Sequence, residues 1–196
     1  MNNSFFVVRA GRCEKSSSGF NIVLDKKRRF DSSLIVDVKK CRFNHVQVII
    51  CKPFSKSLRP FPATFWLMCP YLIKLAGTIE SQNGVNELEN FLTLHELHHQ
   101  WRKYNFEHQK IRMKLMNKNL AKFMRKYHER IFKNLIRGGV GGIRYDTEKI
   151  NVKCLHLQTA SFIALGRHPA GEWLKSKGLC GDCGRALCSL KGLTSK

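Results

Sequence analysis

The stretch ATFWLMCPYLIKLAGTIES, residues 63–81, holds an apolar helical pattern broken by one proline. Phe65, Leu72, Leu75, Ala76 and Ile79 recur at near-helical spacing, as in an amphipathic helix. Pro70 lacks a backbone N–H and clashes inside a helix, but it suits a first helical position. The pattern therefore predicts a helix that starts close to Cys69–Pro70. Cys69 then stands at a helix N-terminus, where the positive end of the dipole favours the metal-binding thiolate.

Working outward, Ile35, Val36 and Val38 precede Cys41, and Val46–Ile50 is a second β-rich run. Two short strands flanking Cys41-Arg-Phe-Asn-His45 make a hairpin. Pro53, Pro60 and Pro62 mark 52–62 as a loop. Residues 1–35, with a Ser16–Gly19 stretch and Lys26-Lys-Arg-Arg29, read as a variable, poorly ordered extension. Downstream, Asn83-Gly84 breaks the chain. From Val85 to about Arg137 the pattern is one or two long helices. Tyr104, Ile111, Leu115, Leu120, Phe123, Tyr127, Ile131 and Leu135 form the apolar face and the opposite face is basic. Gly138–Gly142 is a turn. Val152–Leu165 is a buried helix, and a short helix from Pro169 to Lys177 ends at Gly178. The expectation is a single, mainly α-helical domain over 36–196 with a small β-hairpin in its N-terminal third and a cysteine-rich C-terminal tail. An α+β arrangement is the alternative.

At 196 residues and 43% hydrophobic, the chain is large enough for one real core and too apolar for disorder throughout. Its apolar runs are too short for a signal peptide or a transmembrane span; Pro70 and Lys74 interrupt the most apolar one. The eight cysteines are therefore read as reduced and the compartment as cytoplasmic. The net charge of +21 favours polyanions such as nucleic acid, although a solvated basic face needs no partner.

Several segments carry a resemblance. Arg59-Pro-Phe-Pro62 leading into Thr64-Phe-Trp-Leu-Met-Cys-Pro-Tyr71, then Gly141-Gly-Ile143, Val152-Lys-Cys-Leu-His156 and His168-Pro-Ala-Gly171 resemble, in order and rough spacing, an uncharacterised bacterial family, the domain of unknown function 501. The resemblance spans about Cys41 to Cys183. It implies that Cys41, Cys69, Cys154 and His156 are the family's cysteine and histidine positions, and it carries no assigned activity.

Cysteines from distant segments suggest a metal ion or iron–sulfur cluster. Cys180-Gly-Asp-Cys183 is a C-x-x-C turn, which brings two sulfurs to one ion, and Cys-Pro recurs at iron–sulfur ligands. The candidate ligands are Cys69, Cys154, Cys180 and Cys183, with Cys41 and His156 in addition. Cys154 and His156 are two apart, so a regular helix through both would splay them. The plain alternative makes Cys69 and Cys154 small buried hydrophobes.

His95-Glu-Leu-His-His99 fits H-E-x-x-H, the zinc-hydrolase helix in which two histidines share a face and the glutamate activates water. It lacks an evident third ligand, and a polar, histidine-rich helix face is the preferred reading. Gly138–Gly142 offers N–H groups to a phosphate, but no Gly-Lys-Ser/Thr follows, so a hinge or tight packing is preferred. Between Arg102 and Arg137 there are twelve Lys or Arg against Glu107 and Glu129. Trp101, Tyr104, Phe106, Phe123 and Tyr127 interleave with them. Stacking plus charge suits single-stranded RNA, whereas helical spacing more often means core. Two functions compete: a protein holding a cysteine-ligated metal or cluster, and a basic RNA-associated module with a structural zinc.

Overall fold

The run Val46-Gln-Val-Ile-Ile-Cys51 is rich in β-branched residues and forms the central strand of a three-stranded antiparallel sheet. The computed structural model describes residues 31–184 and 186, together with the backbone of Cys13–Ser16 (β1) and Gly19–Ile22 (β2), which pair as an antiparallel ribbon. The expected extension over 1–35, the end of the tail and Cys188 fall largely outside the described residues. In the sheet, β3 (Ile35–Lys40) pairs with β4 (Val46–Cys51), and β4 with β5 (Phe65–Leu67). Seven helices follow among the described residues, so the fold is mainly α with a small sheet.

β4 alternates between two cores, as a period of two requires. Ile49 and Cys51 pack with Leu34 and Met68 on one side. Val48 packs with Phe65, Leu67, Cys69, Leu72 and Ala160 on the other. Burial pushes the Cys51 thiol up to about 12, so this cysteine is core. The expected hairpin around Cys41 is present, with Cys41 N donating to His45 O at 2.9 Å.

The helix predicted in 63–81 is α1 (Pro70–Ser81), with Pro70 in its first turn and Cys69 as N-cap. The residues before it form β5, held by pairing with β4, and Cys69, directly before the proline, is driven to extended backbone at φ −64° and ψ 114°. The one or two long helices expected from Val85 to about Arg137 are instead four: α2 (Gly84–Leu94), α3 (His98–Lys114), α4 (Lys118–Tyr127) and α5 (Glu129–Arg137). Glu96, at φ 54°, reverses the chain between α2 and α3. Asn117 caps α4 through Asn119 N and Leu120 N. Neither break carries a glycine or a proline. α6 (Leu155–Leu165) lies across the sheet and beside α1, and α7 (Gly171–Ser176) closes the chain against the main core. No helix among the described residues is long and apolar enough to cross a membrane.

The glycine turn is tight packing. Asn105 Oδ1 accepts from Val140 N at 2.9 Å, Gly139 N donates to Ile143 O and Gly142 N to Gly139 O. These three N–H groups are consumed inside the protein, which favours tight packing over a phosphate cradle. Arg112, buried, donates to Leu135 O at 2.8 Å, Gly138 O at 2.6 Å and Gly139 O at 2.5 Å. A Cβ on Gly139 would overlap the Asn105 side chain. Gly139→Ala should therefore lower stability by about 1–3 kcal/mol in urea unfolding, the cost of overpacking a filled site.

A second buried polar chain joins α3 to α6. Ser161 Oγ stands 2.6 Å from Tyr104 Oη and 2.5 Å from His108 Nε2. His168 Nε2 meets Gln158 Oε1 at 2.9 Å. Burial, then the charges of Arg112 and Arg167, lowers His108 from the usual 6.5 to about 3. Burial, then His108, lowers His168 to about 3 as well. Both rings fold neutral and gain protons on unfolding below pH 6.5. Their contribution is complete above that value and is lost as pH falls toward 3, at up to about 1.4 kcal/mol per pH unit for each ring. The urea midpoint should drop between about pH 6.5 and 5, where carboxylates are still ionised, and His108→Gln should flatten that drop.

Candidate metal centre at the junction of α1 and α6

α6 begins one residue after Cys154. Cys154 is its N-cap, with extended backbone at φ −168° and ψ 156°, and His156 lies in the first turn. The splaying expected of two helical residues does not arise, because the helix starts between them. Antiparallel packing brings this end of α6 to the last turn of α1, where Glu80 points back at it. Glu80 Oε1 accepts from Leu155 N at 2.5 Å and faces His156 Nδ1 at 3.0 Å. The carboxylate thus satisfies N–H groups that a helix N-terminus leaves unpaired, with the favourable sign for the dipole.

The ligand atoms of Glu80, Cys154 and His156 all lie within 4.8 Å of one another. The side chains of Glu80 and His156 are 24% and 32% exposed, enough for an ion to enter from solvent. His156 Nε2 stands 3.1 Å from Ile73 O. When Nε2–H donates to that carbonyl, the Nδ1 lone pair is directed toward Glu80, the tautomer a metal-ligating imidazole needs. Burial raises the Cys154 thiol above its ordinary value; the backbone N–H of Leu157 pulls it down and the charge of Glu80 raises it further. Without a cation the thiol is protonated, and a bound metal would take the proton's place.

The six residues expected as ligands separate into two places. Cys154 and His156 join Glu80. Cys69 lies at the opposite end of α1, about 16 Å away along the axis at about 1.5 Å per residue. It is buried against β5 and α6. The Cys180–Cys183 turn is held on that far side. Gln47 Nε2 donates to Gly181 O at 2.6 Å, and Arg42 N donates to Asp182 Oδ2 at 3.0 Å. Cys69 N donates to Gln47 O at 3.3 Å, so Cys41, Cys69 and the C-x-x-C segment are neighbours in the fold. Among the described residues no three of their ligand atoms form a second grouping like that at Glu80.

The H-E-x-x-H segment is divided by the turn at Glu96, with His95 after α2 and His99 inside α3. The two histidines do not share one helical face, so the geometry of a zinc-hydrolase helix is lost. Glu80 had no signal in the sequence. It is one polar residue in an amphipathic helix, and only the packing of α1 on α6 gives it a role.

A family model described as Protein of unknown function (DUF501) matches residues 37–176. No curated protein and no solved structure matches the chain. The matched span contains Cys41, Cys69, Glu80, Cys154 and His156 and stops before Cys180. Since it covers most of the chain and nearly all of the described fold, the protein belongs to the DUF501 family.

Proposed function

We propose that the protein is a zinc-binding protein whose ion is held by Glu80, Cys154 and His156. The observation that carries this reading is the convergence of one carboxylate, one thiol and one imidazole within 4.8 Å. Donors on tetrahedral zinc with bonds of about 2.0–2.3 Å lie about 3.3–3.8 Å apart, so Nδ1 and Oε1, now at a hydrogen-bonding 3.0 Å, need only part slightly to take an ion. The contact of His156 Nε2 with Ile73 O supports it, because metal-bound histidines usually donate their second N–H to a carbonyl or carboxylate. Mixed S, N and O donors suit zinc, whereas iron–sulfur clusters need several thiolates, and this site has one. Three protein ligands leave a fourth position for water or a small ligand, the arrangement of a Lewis-acid site rather than a closed structural one.

Elemental analysis of protein purified under reducing conditions should find about one zinc per chain, with Cys154→Ser and His156→Gln each weakening zinc at least tenfold in chelator competition. Cobalt substitution should give a thiolate charge-transfer band that Cys154→Ser removes, and a strong chelator should lower Tm. Zinc uptake unaffected by either variant would overturn this reading. So would iron with acid-labile sulfide persisting in Cys154→Ser, which would move the metal to the Cys41, Cys69, Cys180 and Cys183 region.

A further inference from the structure

The helix pair α4–α5 presents an outer face that the core does not use. Met124, Phe132 and Leu135 turn inward and are at most 4% exposed, packing with Phe54 and Met116. Phe123, Tyr127 and Ile131 are 42%, 59% and 42% exposed. They recur every fourth residue on the side turned to solvent. The rings of Phe123 and Tyr127 lie 5.0 Å apart, and that of His128 is 5.7 Å from Phe123. Lys126 Nζ sits 5.0 Å from the Tyr127 ring centroid. Between Lys118 and Arg137 there are seven Lys or Arg, all exposed. The one acid in that span, Glu129, is already bound to Lys133 at 2.6 Å.

We propose that this face binds single-stranded RNA, independently of the metal site. Seven like charges on a twenty-residue helix pair repel one another, and a polyanion relieves that repulsion while releasing its own counterions. Scattered exposed apolar residues need no explanation, but a contiguous aromatic cluster inside a cationic field matches the two components of single-strand recognition. The cations track phosphates and the rings take unpaired bases by stacking. A duplex hides its base faces, so the rings would add nothing there, and RNA loops and ends are where unpaired bases are presented. An anionic membrane fits less well. An interfacial helix buries a broad apolar face in lipid, and here that face is already spent on the Phe54–Phe132 core.

The test is fluorescence anisotropy of the full-length protein with a labelled oligo-uridine strand, RNA duplex of matched charge, and phosphatidylserine vesicles. The single strand should bind at least tenfold more tightly than the duplex. Its affinity should fall about 100-fold between ~50 and ~200 mM salt, as for about five phosphate contacts. Phe123→Ala and Tyr127→Ala should each weaken binding by about tenfold with the salt slope unchanged. Lys126→Glu with Arg130→Glu should weaken binding and flatten the slope. All of these positions are exposed, and an unchanged circular dichroism melt confirms that the fold is intact. Equal binding of single strand and duplex with no effect of the aromatic variants would overturn the proposal and leave a general polyanion patch. Vesicle binding that depends on Phe123 and Tyr127, without RNA binding, would overturn it in favour of a membrane surface.

Discussion

One buried guanidinium holds the parts of this fold in register. Arg112 is fully buried and faces no carboxylate in its hydrogen bonding; its acceptors are the carbonyls of Leu135, Gly138 and Gly139. Burial lowers it to about 10, with Tyr145 opposing, so it remains charged at neutral pH. A buried charge is tolerable only when hydrogen-bonded, and these carbonyls at the negative end of α5 and in the following turn suit a cation. Asn105, seven residues earlier on α3, takes Val140 N from the same turn. α3 thus grips the first half of the glycine segment, Gly138 to Val140, with polar side chains from its buried face. The glycines are required because side chains at Gly139 and Gly141 would collide with Asn105 and Leu157.

That grip sets where α6 begins. Leu157 packs beneath Gly141, and Lys153 Nζ donates to Gly141 O at 3.2 Å. The N-terminus of α6 is therefore fixed from the α3–α5 side, while Glu80 meets it from α1. The same carboxylate that caps the helix faces the thiol and the imidazole. A cation there would sit near the positive end of a helix, an unfavourable place that carboxylate and thiolate charge offset. The site couples α1, α6 and the glycine turn, so binding an ion would stabilise their packing.

Much of the sheet region was legible in the sequence. The hairpin around Cys41 followed from two β-branched runs, and the α1 start followed from Pro70. β5 was not, because Phe65-Trp-Leu67 fits the helical apolar spacing, and its strand conformation comes from pairing with β4. The helices between Asn83 and Arg137 were read with a single apolar face. On α3 the buried face is Trp101, Tyr104, Asn105, His108 and Arg112, too polar for hydrophobic periodicity to detect. On α4 and α5 the residues taken as one face divide: Leu135 is buried, while Phe123, Tyr127 and Ile131 face solvent.

The sequence by itself determined the class of fold, the first helix boundary, the basic character of 102–137, and two of the three residues at the candidate metal centre. These rest on local rules of proline geometry, periodicity and charge, which act within a few residues. Tertiary structure alone decided that Glu80 joins Cys154 and His156, that Cys69 stands at the other end of α1, and that His95 and His99 are divided by a turn. Each outcome depends on how helices pack on one another, and packing brings together residues that no short-range pattern links.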